Sequence, residues 1–60
     1  MRKMPEERRE EILKVAARFF AEKGPDGTTI AEVIKACGIA RGTFYIYFSN
    51  NEDLLDAVLD

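Results

Sequence analysis

Histidine is absent from the chain, and cysteine occurs once, at Cys37. Without histidine there is no imidazole to act as a catalytic acid or base, and a single thiol neither closes an internal disulfide nor furnishes a zinc site. Enzymatic function is therefore not expected, and neither is a metal. A single cysteine points to a reducing, cytoplasmic setting, with Cys37 read as a small core residue. No apolar run approaches the roughly 18 residues of a membrane span. The opening MRKMPEERREE carries charge where a secretory leader would carry an apolar block. Neither G-x-G-x-x-G nor G-x-x-x-x-G-K-S/T occurs, so no nucleotide cofactor is expected. Low-complexity tracts and internal repeats are also missing.

What is present is a folding composition, 47% hydrophobic and 33% charged, in 60 residues. That length allows one domain at most, and a domain of this size buries only about 60% of the surface its unfolded chain exposes. The net charge is −2 and the isoelectric point about 5.0, which argues against indiscriminate nucleic-acid binding, usually the property of a basic domain. The charge is nevertheless uneven. Arg2, Lys3, Arg8, Arg9, Lys14, Arg18 and Lys23 crowd the first 23 residues, whereas Glu52, Asp53, Asp56 and Asp60 close the chain with no base among them.

Hydrophobic periodicity predicts four helices. The first spans 5–23, with proline at its first position, Glu6 and Glu7 at the positive end of the helix dipole, and Gly24 just past its end. Ile12, Leu13, Ala16, Phe19 and Phe20 fall on one face. GPDGT is a loop. The second helix spans 29–37, opened by a capping box of Thr29 and Glu32 and closed by a left-handed Gly38; Ile30, Val33, Ile34 and Cys37 recur at helical spacing. The third spans 41–48 with Phe44 and Phe48 facing the core. FYIYF is also strand-like in composition, but no second strand exists to pair with it. The fourth spans 50–60, opened by a Ser49–Glu52 box or by Asn50, with Leu54, Leu55, Val58 and Leu59 as its apolar face. The fold class expected is all-α: a three-helix, homeodomain-like helix-turn-helix bundle plus the start of a fourth helix.

The stretch GIARGTFYIYF carries the functional signal. Two short helices joined by a tight glycine-containing turn form a helix-turn-helix, whose second helix enters the major groove while the first crosses the backbone. Gly38 supplies the turn and Ile39 an apolar plug. Arg41 carries a planar fork that matches guanine O6 and N7. Thr43 can bond a phosphate or touch a thymine methyl, Gly42 allows close backbone approach, and the phenols of Tyr45 and Tyr47 reach phosphate oxygens.

The run ILKVAARFFAEKGPDGTTIAEVIKACGIARGTFYIYFSNNEDLL resembles the N-terminal DNA-binding domain of the tetracycline-repressor (TetR) family, most specifically in TTIAEV, GIARGTFYIYF and EDLL. The resemblance covers almost the whole chain. It implies a sequence-specific reader of double-stranded DNA, set in the major groove of a palindromic operator half-site, within a cytoplasmic, nucleoid-associated repressor. It further implies a homodimeric parent whose C-terminal domain, absent here, dimerises and binds a small-molecule inducer. Thr29 matches the family threonine that caps the second helix and bonds a phosphate. Arg41, Gly42 and Thr43 match positions that meet bases and backbone, and Tyr45 and Tyr47 match phosphate contacts. Asn51 stands where a phosphate-binding lysine is usual and is retained as a weaker contact. Ala40 replaces the usual serine cap, at a cost of about 1 kcal/mol, and Ala31 offers no hydrogen bond to a base.

Plainer readings stand beside these. The two tyrosines can serve as ordinary half-buried aromatics, Arg41 as a solvated charge, and the Arg8, Arg9, Lys14 and Arg18 set as a solvated face with acidic partners such as Glu10–Lys14. The alternative function is a helical protein-interaction module that uses the acidic fourth helix and ignores DNA.

Overall fold

The structure is a computed structural model and describes residues 4–60. Arg2 and Lys3, counted above among the basic N-terminal residues, lie outside the described residues. Four helices follow one another: α1 Pro5–Lys23, α2 Ile30–Cys37, α3 Arg41–Tyr47 and α4 Asn51–Leu59. No strand occurs among the described residues. α1 packs on both α2 and α4, and α3 packs on α2. No described helix is long and apolar enough to cross a membrane.

The core takes one or two residues from each helix. Ile12 and Ala16 of α1, Val33 of α2, Phe44 of α3 and Leu54 of α4 are wholly buried, and Phe48 nearly so. Leu13, Phe19, Phe20, Ile30, Ile34, Cys37 and Ile39 pack around them, as their periodicity predicts. Leu59 departs from its expected face and is 75% exposed. It lies about 140° around α4 from Leu54, at roughly 100° per residue, and so falls off the arc that Leu54, Ala57 and Val58 turn to the core.

Helix ends follow local chemistry. Pro5 opens α1, and the Met4 amide donates to Glu7 Oε1 at 3.3 Å. At the other end the Gly24 amide donates to Phe20 O at 2.8 Å. The buried Thr28 hydroxyl donates back to Gly24 O at 2.9 Å, pinning the loop. The expected capping box forms at α2: Thr29 Oγ1 accepts from the Glu32 amide at 3.2 Å, and Glu32 Oε2 accepts from the Thr29 amide at 2.9 Å. The other oxygen of Glu32 takes the Lys23 ammonium. One carboxylate thus closes the start of α2 and ties it to the end of α1.

At α4 the second of the two expected caps, Asn50, forms in place of the Ser49–Glu52 box. Asn50 Oδ1 accepts from the Asp53 amide at 2.9 Å, and Asp53 Oδ2 accepts from the Ser49 amide at 3.0 Å. Asn50 lies three residues before Asp53, so Asn50 and Asp53 take the roles assigned to Ser49 and Glu52. On α1 the ion pair is Arg8–Glu11, at 2.8 Å, rather than Glu10–Lys14. The pair that forms is spaced i,i+3 and the expected one i,i+4, both spacings that bring side chains together on a helix.

Two measurements test these local arguments. A Cβ built on Gly27 meets the Lys23 carbonyl oxygen at 2.5 Å, a backbone atom that cannot swing aside. Gly27→Ala is expected to cost about 1–3 kcal/mol, read as a lower urea midpoint at unchanged slope. The second concerns Glu32, whose carboxyl is held below its ordinary value, first by the Lys23 side-chain hydrogen bond and then by the Thr29 amide. A depressed folded-state pKa means that the unfolded chain binds the proton more readily. The contribution is therefore complete above the ordinary glutamate value of about 4.3 and lost as pH falls through the lower folded value. Urea titrations between neutral and acid pH should show Glu32→Gln flattening that part of the profile; parallel profiles would show that the clamp contributes nothing.

Candidate nucleic-acid interface

The interface is built on the turn between α2 and α3. Gly38 sits at φ 71° and ψ 34°, the left-handed region. Its amide donates to Lys35 O at 3.2 Å, and the Ile39 amide donates to Ile34 O at 3.1 Å. These paired bonds are the Schellman motif, completed by Ile39 and Ile34 packing on the same core. Only Gly38, Ile39 and Ala40 separate the two helices. Ala40 caps α3 without a side-chain hydrogen bond, as its lack of a hydroxyl requires.

α3 is seven residues long, and its rotation is set by two rings. Phe44 and Phe48 stand 5.7 Å apart between ring centroids, and both are buried. The Arg9 guanidinium of α1 lies 5.4 Å from the Phe48 centroid, so this arginine covers the seam rather than standing free in solvent. The remaining residues of α3 pair along three rows, each one turn long: Arg41 with Tyr45, Gly42 with Ile46, Thr43 with Tyr47.

Arg41 is exposed and, among the described residues, has no ion-pair partner. Thr43 is half-buried, and its hydroxyl takes no partner among the described residues. Tyr45 is 45% exposed, its ring edge-on to Phe44 at 5.3 Å and 83°, which stiffens the ring and leaves the phenol outside. Tyr47 is half-buried and its ring packs on the core, so only its tip is available. Gly42 is exposed, and a Cβ built there meets nothing within 4 Å. Thr29 is exposed at the start of α2; its hydroxyl accepts a hydrogen bond as the cap and keeps its proton to donate elsewhere.

Asn51 differs from the rest of the expected set. It is half-buried, its amide nitrogen lies 3.5 Å from the Thr28 carbonyl, and its Oδ1 is buried with no hydrogen-bond partner among the described residues. The structure thus turns Asn51 toward the loop before α2, while on α3 Arg41, Gly42 and Tyr45 are exposed and Thr43 is half-buried.

One exposed residue of α3 escaped the sequence reading. Ile46 is 76% exposed on α3. Its signal was its phase: two residues from both Phe44 and Phe48, it cannot share their seam. The acidic α4 docks on α1 and the reading helix on α2, so the two charge characters sit on different elements.

Comparison with known proteins identifies the family. Residues 12–58 match the model of the bacterial regulatory proteins of the tetR family. Over 49 residues the chain is 47% identical to the uncharacterized HTH-type transcriptional regulator YerO of Bacillus subtilis, covering 82% of this chain and 17% of that protein. It is 40% identical over 52 residues to the HTH-type transcriptional repressor KstR2 of Rhodococcus jostii, covering 87% of this chain and 26% of the relative. It is 38% identical over 53 residues to the HTH-type transcriptional regulator AcrR of Shigella flexneri, covering 88% and 25%. The chain thus spans about a quarter or less of the length of these relatives. No solved structure gives a significant match. A helix-turn-helix bundle closed by a Schellman turn, matched along most of its length by this family, places the chain in the TetR family of bacterial regulatory proteins.

Proposed function

We propose that this chain is the operator-reading unit of a ligand-responsive transcriptional repressor, with α3 set in the major groove of double-stranded DNA. One observation carries the reading. The guanidinium of Arg41 and the hydroxyls of Thr43 and Tyr45, all on α3, have no hydrogen-bond or ion-pair partner among the described residues. Arg8 and Lys23, by contrast, are engaged within the domain. Donors that a fold leaves uncommitted on one helix suit a polyanion with acceptor-rich base edges.

Arg41 acts as the base-reading fork, and Tyr45 and the tip of Tyr47 hold phosphates beside it. Thr43 bonds a phosphate or meets a thymine methyl. Thr29 donates its hydroxyl proton to a phosphate from the start of α2. Asn51, committed to Thr28, contributes by fixing the start of α4 rather than by a strong phosphate contact. The parent is a cytoplasmic homodimer that meets a palindromic operator with two such units, and its inducer binds a C-terminal domain outside this chain. A protein-interaction module built on α4 is not favoured: the relatives matched along this segment are transcriptional regulators and repressors, and Asp53 of the acidic helix is spent on capping.

Two substitutions test this reading from opposite sides. Arg41→Ala should cost about 1–3 kcal/mol of operator affinity and relax the preference at one base pair. Binding of the unaltered chain should weaken with salt at a slope near −0.9 per neutralised phosphate; unchanged affinity after Arg41→Ala removes that residue from the interface. Gly42→Ala separates fold from function. Gly42 has no positive φ, and space is open around it, so alanine should stabilise the domain by roughly 0.4–1 kcal/mol. The same methyl stands between the helix and the DNA, and binding should weaken. A more stable domain that binds as tightly as before would show that nothing approaches Gly42.

A further inference from the structure

We infer that Ile46 is a specificity-determining residue that reads the C5-methyl group of a thymine in the major groove. The assignment rests on the DNA-binding reading above and goes beyond it by assigning a base type to a side chain that offers no hydrogen bond.

The argument begins with rotation. At roughly 100° per residue, Ile46 lies about 180° around α3 from the midpoint of Phe44 and Phe48. Those two rings are buried, so Ile46 is the residue of this helix aimed most directly away from the core. The rows on either side of it end in polar tips, Arg41 with Tyr45 and Thr43 with Tyr47. Gly42, one turn earlier in the same row, adds no side chain and leaves its surroundings open. A helix seated with its core seam outward from the DNA therefore presents flanking donors to the groove walls and an isoleucine to the floor.

Chemistry then narrows the target. An isoleucine side chain neither donates nor accepts, and pressed on a phosphate it would strip water without replacing it. Across the major groove the one apolar feature that distinguishes the bases is the thymine methyl. A single exposed apolar residue is ordinary on a protein surface. What separates Ile46 from that background is its position, opposite the seam, next to an open glycine and between unpartnered donors. At 76% exposure its removal leaves the core untouched, so a binding effect can be read without a folding effect.

One copy alone lacks the effective concentration that a tether supplies, so the experiment joins two copies of the chain by a flexible Gly/Ser linker and selects sites from randomised duplexes. Each thymine of the enriched half-site is then replaced by deoxyuridine, which lacks only the methyl. The expected result is one thymine whose replacement weakens binding about fourfold, the loss of one buried methyl group. Linked copies carrying Ile46→Ala, with an unchanged helical circular-dichroism signal, should bind the thymine and uracil forms of that position equally. An enriched site with no thymine, or one whose thymines all tolerate uracil while Arg41→Ala still weakens binding, overturns the assignment of Ile46 and leaves the DNA reading standing. Selection that enriches no sequence overturns the DNA reading and this inference with it.

Discussion

A seven-residue helix is too short to persist in water on its own, since helix nucleation costs more than so few hydrogen bonds return. α3 exists because Phe44 and Phe48 leave water on one side of it. At about 1.5–3 kcal/mol for each fully buried aromatic, the two rings supply a large share of what a domain of this size can hold. Their second effect is directional. Once both rings are seated among Ile12, Ala16, Val33 and Leu54, the helix cannot rotate about its axis without exposing one of them. The places of Arg41, Gly42, Tyr45 and Ile46 follow from that constraint.

The turn does for position what the seam does for rotation. Gly38 is held left-handed, a conformation that costs a residue with a Cβ roughly 1–2 kcal/mol, and the paired bonds to Lys35 and Ile34 stop α2 where it must stop. Three glycines near the site illustrate three different needs. Gly38 answers to backbone geometry, Gly27 to a close approach of the Lys23 carbonyl, and Gly42 to neither. Gly42 is thus a glycine that the fold does not require, since a Cβ added there would meet nothing within 4 Å.

Electrostatics is arranged by element rather than by total. A net charge of −2 conceals a division of labour. Arg8, Lys23 and Arg9 are drawn into contacts with Glu11, Glu32 and the Phe48 ring. The acids of α4 sit on a helix docked to α1. Arg41 remains as the uncommitted cation of α3. In the function proposed above, affinity for DNA rests on a few placed groups, which favours discrimination between sequences over bulk attraction to phosphate.

Local patterns settled the number and order of the helices, the Thr29–Glu32 box, the left-handed Gly38 and the Phe44–Phe48 seam, because each depends on residues within a turn or two of one another. Competition between neighbours was less legible. Of the two expected caps of α4 Asn50 and not Ser49 formed, and on α1 Arg8–Glu11 formed where Glu10–Lys14 was expected, since each choice satisfies the same kind of local rule. Contacts across long separations were not legible at all: Lys23 with Glu32, Arg9 on Phe48 and Asn51 on Thr28. The amino-acid order by itself determined which helices form and which rings they bury. Tertiary packing alone decided which polar groups were consumed inside the domain and which were left facing outward, because that depends on where four separately specified helices come to rest against one another.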